Sequence, residues 1–191
     1  MNKLGRKLSA LLLAAAVSVS AVSPAFAAGS PTQGQPVGTP VAGDAGDSQS
    51  TVSGYVDGDK TMTVTEVASD GKTATIPASL KASDGKTYDV DVIATGTIAK
   101  KYSKVTFVLN PTTKVQSKVA KAKKAKKTKK VVITAAKADK SVTAAQFSKK
   151  AFKGFSGKII VKKSAMTKKQ YKKLVKKLRK GGFKGKIVYK K

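Results

Sequence analysis

Residues 121–130, KAKKAKKTKK, carry seven lysines in ten positions and no acid. Lysine is a point charge on a flexible stem, suited to phosphates and carboxylates along a polymer, whereas rigid bidentate recognition calls for arginine. A second basic cluster lies at Lys172, Lys173, Lys176, Lys177, Arg179 and Lys180. The candidate polyanion-binding residues are these six together with Lys121, Lys123, Lys124, Lys126, Lys127, Lys129 and Lys130. From Pro111 to Lys191 there are 29 Lys or Arg against the single acid Asp139, while residues 28–110 are slightly acidic. Charge segregated on that scale repels itself and calls for counter-anions nearby.

Other chemistry has little material. The chain has no His, Cys or Trp, which removes the commonest general base, the thiolate nucleophile and the usual transition-metal ligands. Glu66 is the only Glu, and no carboxylate pair flanks an evident cleft. Ser and Lys are so abundant that their adjacency identifies no dyad. The chain is read as non-enzymatic, with no catalytic residue and no cofactor. Asp57 and Asp59 are spaced like two ligands of a calcium loop, and Asp89 and Asp91 share a strand face. Neither set has the downstream bidentate Glu that such a loop uses, so they read as turn and solvated-strand residues rather than metal ligands.

The chain opens MNKLGRKLSALLLAAAVSVSAVSPAFA: a basic start, a short apolar run and the triplet Ala25-Phe26-Ala27. That pattern is a secretory signal peptide over residues 1–27, cleaved after Ala27. Its removal takes three cations and lowers the formal charge from +29 to +26. With no Cys for a lipid anchor, no hydrophobic C-terminal tail and no sortase-type motif, the mature chain is expected outside the cell without a membrane span. Any attachment to the wall would then be non-covalent. Residues 28–52, rich in Gly, Ser, Pro, Thr and Gln, are expected to be a disordered linker. Residues 53–191 form the remaining domain.

From Ser53 onward the pattern is short alternating runs. SDGKT occurs twice, at 69–73 and 83–87. Asp-Gly between alternating runs is a type I′ hairpin signal, so Met62–Val64, Ala74–Ile76 and Tyr88–Val92 are expected to form an antiparallel meander, with a further turn at VDGDK before it. Four later runs start at Val105, Val131, Ile159 and Ile187, spaced by 26, 28 and 28 residues. A strand recurring at such a period is how a solenoid announces itself. Ile98 and Phe152 each precede a strand by seven residues. The equivalent place in the middle unit is Lys124, which leaves that unit weakly packed. Phe152 and Ile160 are expected in the shared core and Lys162 outside it.

Tyr171, Leu174, Val175 and Leu178 form one apolar stripe of a helix starting near Thr167. Gly181-Gly182 ends it, and the following strand returns the chain to the sheet, so the end reads as a strand–helix–strand cap.

TATIPASLKASDGKTYDVDVIA, SKKAFKGFSGKIIVKK and the closing SAMTKKQYKKLVKKLRKGGFKGKIVYKK together resemble the bacterial surface-antigen class of leucine-rich repeats, called BspA-like. The resemblance covers about residues 60–191 and is specific at Ala151-Phe152-Lys153-Gly154, at the Ile76-Pro77-Ala78 strand end and in the cap. It implies a short leucine-rich-repeat-like solenoid of parallel strands, which with the N-terminal antiparallel meander read above gives a β-rich α/β architecture. It also implies adhesion or surface binding on a secreted protein of Gram-positive bacteria. The expected partners are anionic cell-wall or host-surface polymers such as teichoic acid and acidic glycans. Extracellular DNA, which offers the same phosphates, and membrane action by the cationic helix are the alternatives.

Overall fold

The computed structural model describes residues 35–46 and 49–191. The expected signal peptide lies outside the described residues.

Alternating apolar and polar residues give β1 (Pro40–Asp44), β2 (Ser50–Gly58) and β3 (Thr61–Ser69), joined as antiparallel neighbours. β4 (Thr73–Ile76) then leaves this sheet, and β5 (Ser79–Ala82) and β6 (Thr87–Ile93) return to it. β5 pairs with β1 and with β6, both antiparallel. β6 then lies parallel to β3, Met62 opposite Val90, which closes a five-stranded barrel. Val52, Val56, Met62, Val64, Leu80 and Val90 are buried with it. Closure requires strong coiling of β2, whose register against β3 slips between Ser53 and Gly54. A Cβ on Gly54 would lie 1.9 Å from the Thr63 carbonyl oxygen, so only glycine fits this irregularity.

The remaining strands are β7 (Lys104–Leu109), β8 (Lys114–Val115), β9 (Lys130–Ala135), β10 (Lys158–Lys162) and β11 (Ile187–Lys190). β8 adds to β6 at the barrel's margin. The others form a second, all-parallel sheet in the order β4-β7-β9-β10-β11. In it Ile76, Phe107 and Ile133 are in register, as are Val131 and Ile159. One face of this sheet is core: Val105, Phe107, Leu109, Val131, Ile133, Ile159 and Val161 are all buried. Phe152 fills the space behind it, with ring centroids 6.1 Å from Phe107, 5.9 Å from Phe155 and 6.3 Å from Phe183.

This architecture overturns the expected leucine-rich-repeat solenoid. Among the described residues the chain forms a closed five-stranded barrel, a parallel sheet and one α-helix, with mixed pairing in the barrel. The expected meander is also replaced: Ala74–Ile76 belongs to the second sheet, and Met62–Val64 lies parallel, not antiparallel, to β6. Strand recurrence at 26–28 residues reports connections of equal length, and says nothing of a barrel closed by a parallel pair distant in sequence. Part of the stretch expected as linker is strand: β1 lies within residues 28–52, with Val41 buried. Its poverty in large apolar groups is offset by pairing along its whole length with β2 and, at Gly43 and Asp44, with β5 on the other edge.

The two SDGKT copies behave differently. Ser83–Thr87 joins β5 to β6, with Gly85 at φ +79 and Gly85 N–H donating to Ala82 O at 2.9 Å. Asp84 is not left-handed, so this is a type I turn closed by a left-handed glycine rather than the expected type I′. Asp84 accepts from Lys86 N–H at 2.9 Å and from Tyr88 O–H at 2.8 Å. The first copy, Ser69–Thr73, makes no hairpin and carries the chain from barrel to second sheet. At the position equivalent to Tyr88 it has Ala74, which offers no hydroxyl to hold the aspartate. The Lys86 backbone N–H, and next to it the Tyr88 hydroxyl, hold the Asp84 carboxyl below the usual aspartate range against the opposing effect of burial. Its contribution to stability is therefore complete above the unfolded pKa, near 4, and is lost as pH falls through the lower folded value. Asp84→Asn is expected to lower the thermal midpoint at neutral pH and to shrink the fall in midpoint on acidification below about pH 4. An unchanged acid limb would show that the turn carboxylate does not contribute.

Candidate polyanion-binding surface

The stretch 121–130 lies between β8 and β9 and is anchored at several points. Val119, Ala120, Ala125 and Thr128 are buried, and residues Ala125–Lys127 form a single 3₁₀ turn. The Thr128 hydroxyl accepts from the buried Tyr102 N–H at 3.1 Å, and Lys129 N–H donates to Tyr102 O at 3.0 Å. The expectation of a weakly packed unit with Lys124 at a core position does not hold. Ile98 N–H donates to Val119 O at 2.9 Å and Val119 N–H to Ala151 O at 3.0 Å, so Val119 stacks between them. Lys121, Lys123, Lys124, Lys127, Lys129 and Lys130 are displaced outward and exposed, whereas Lys126 is half-buried beside Gly154.

The second cluster sits on α1 (Lys168–Lys180). Thr167 caps it by accepting from Gln170 N–H, and Leu174 and Leu178 are buried, with Tyr171 and Val175 half-buried, as the stripe predicts. At the C-terminus Phe183 N–H donates to Leu178 O at 3.1 Å and Gly182 N–H to Arg179 O at 3.0 Å, with Gly182 left-handed. This is a Schellman cap. Lys172, Lys173, Lys176 and Lys180 are exposed. Lys177 instead donates to Ala144 O at 3.1 Å, and Arg179 donates to Phe183 O at 2.9 Å. These two cations tie the helix to its neighbours. The apolar stripe is occupied by the core, so no lipid-facing stripe is left on the docked helix. Among the described residues no helix is long and apolar enough to cross a membrane.

Backbone hydrogen bonds stack the loops that lead into the parallel strands. Ser156 N–H donates to Lys126 O at 3.1 Å, and Lys158 N–H to Lys129 O at 2.9 Å. Gly157 permits this stacking, since a Cβ there would lie 2.2 Å from Thr128 O, and Gly185 repeats it with 2.4 Å to Gly157 O. Successive loops therefore bring their lysines, such as Lys127, Lys153 and Lys184, to the same end of the sheet.

The outward face of the parallel sheet carries cations that the two clusters do not include. Lys130 pairs with Lys158, and Lys104 and Lys186 occupy the same register one residue before Val105 and Ile187. These four lysines make a row across neighbouring strands, about 4.8 Å from one to the next. Two residues further along each strand lie Thr106, Val132, Ile160 and Val188, all half-exposed. Beyond them lie Lys162 and Lys190, again paired. A depression of about 400 Å³ is floored by Thr106, Val132, Thr134 and Ile160 and bounded by Lys104, Lys162 and Lys190. Ile160 thus faces outward and its neighbours Ile159 and Val161 inward, which corrects its expected core position. Lys104, Lys158 and Lys186 escaped the sequence reading, although a lysine stands immediately before each of the four recurrent strand runs.

The Asp57 carboxylate accepts from the Thr63 hydroxyl at 2.6 Å, a turn-stabilising role, and no cluster of three metal-ligating side chains occurs among the described residues. Comparison with family models, with curated proteins and with solved structures finds no match.

Proposed function

We propose that this is a secreted, non-enzymatic surface-associated protein whose lysine-rich half binds anionic polymers, of the kind found in cell walls and on host surfaces. The observation that carries the reading is the imbalance of 29 cations to one acid over residues 111–191, displayed outward from a buried core. At most one of those cations can pair with an acid from its own half. The nine acids of residues 28–110, themselves opposed by seven lysines, fall far short of the rest, which leaves external anions to compensate. The extracellular setting rests on the leader pattern of residues 1–27. Nucleic acid offers phosphates to the same lysines, but single strands are held largely by stacking on aromatic rings. The exposed large apolar side chains among the described residues are Val37 and Tyr55, both outside the basic half.

The test is retention on intact bacterial wall, on wall stripped of teichoic acid and on immobilised DNA across a range of salt concentrations. Retention is expected on intact wall, with steep loss as salt rises, and stripping teichoic acid is expected to lower it only in proportion to the anionic charge removed. Replacing Lys123, Lys124, Lys126 and Lys127 by Gln should weaken it while leaving the thermal midpoint unchanged or higher, because like-charge repulsion is relieved. Retention indifferent to both salt and these substitutions would refute the proposal.

A further inference from the structure

Resting on that reading, we infer that the polymer's track is the outward face of the parallel sheet rather than the 121–130 loop, and that its occupant is a linear carboxylated polysaccharide. The residues concerned are the row Lys104, Lys130, Lys158 and Lys186, the facing pair Lys162 and Lys190, and the stripe between them.

Like charges placed side by side across a sheet destabilise it. Here four lysines share one register on adjacent strands, at the sheet spacing of about 4.8 Å. No acid stands in β7, β9, β10 or β11 to offset them. An anionic chain lying across the strands would meet one ammonium group per strand. In a polysaccharide with one carboxylate on every ring, the anions recur at about the length of a sugar ring, which is close to the strand separation. The depression of about 400 Å³ beside the row is shallow and floored by Thr methyl, Val and Ile groups. Such a floor accepts the C–H faces of sugar rings, and it has no aromatic ring on which a base could stack. The loop at 121–130 has more charge but no regular spacing, since its lysines lie on a 3₁₀ turn and irregular flanks.

The probe is polygalacturonate, with single-stranded DNA and polyphosphate as competitors, measured against the full chain by titration at fixed salt. Lys104→Gln/Lys130→Gln/Lys158→Gln removes three charges, and the four-lysine loop variant removes four. The row variant is expected to lose at least tenfold in affinity for polygalacturonate and the loop variant less than threefold. Thr106→Glu/Thr134→Glu keeps every lysine and places carboxylates between the rows. It should also lose at least tenfold while its thermal midpoint stays level or rises, so lost binding cannot be ascribed to unfolding. Losses that follow only the number of charges removed, or a Thr106→Glu/Thr134→Glu protein that binds as the native one does, would overturn the sheet track and leave the broader polyanion reading standing. Tighter binding of DNA or polyphosphate through the same row would overturn the polysaccharide assignment. Salt-independent binding, or none to any of the three polymers, would instead overturn the broader reading.

Discussion

Phe152→Ala should cost about 3–5 kcal/mol, because it deletes a fully packed ring and leaves a cavity that its neighbours cannot collapse to fill. Phe152 is 1% exposed and meets Phe107 of β7, Phe155 of its own loop and Phe183 beyond the end of α1. A small domain has only about 5–15 kcal/mol of net stability, and this one also bears strong self-repulsion, so the variant should be partly unfolded at ordinary temperature. Ile160→Ala is the control. Its side chain faces outward from β10 and is half-exposed, and its loss should cost about 1 kcal/mol or less. Denaturant titration compares them; equal costs would show that the face assignment of β10 is wrong.

Gly181→Ala is the second substitution expected to have a large effect, and its neighbour separates two reasons for glycine. Gly181 has an ordinary φ of −84, but a Cβ on it would sit 1.6 Å from the Lys149 carbonyl oxygen. That neighbour is backbone, so the end of α1 must move off the loop at 149–150. Overpacking of this kind costs about 1–3 kcal/mol and occasionally more. Gly182 has room, its nearest neighbour being Lys153 Cγ at 4.0 Å, but stands at φ +90. There alanine pays only the left-handed penalty, about 1–2 kcal/mol. If both alanines shift the midpoint equally, close approach to Lys149 is not the constraint.

What could be read in the chain beforehand was what is local. The helix boundaries follow from Thr167, the Tyr171–Leu178 stripe and the glycine pair, and the structure places α1 at Lys168–Lys180. The four recurrent runs are strands, and the VDGDK turn joins β2 to β3. The barrel was not legible, because its closing pair sets β3 beside β6 across an intervening strand that belongs to another sheet. Nor do identical pentapeptides declare different roles; the distinguishing residue, Tyr88 against Ala74, lies beyond the repeat itself. Hydrophobicity alone puts Ile160 in the core. Strict alternation with Lys158 and Lys162 would have put it on their face. Charge density points to residues 121–130 and to α1, where Lys177 and Arg179 serve local hydrogen bonds. The lysine preceding each strand run was visible at the same spacing as the strands, but its significance depends on parallel, in-register pairing.

If the unbalanced cationic half binds polyanions by charge, its affinity must fall as salt rises. Affinity of the mature chain for a defined polyanion, measured over a series of salt concentrations, tests it most directly. Counterion release predicts a straight line of log affinity against log salt, with a slope corresponding to several released ions and a loss of about 10³-fold or more between low and physiological salt. An affinity that stays level across that range would contradict the account, whatever its magnitude.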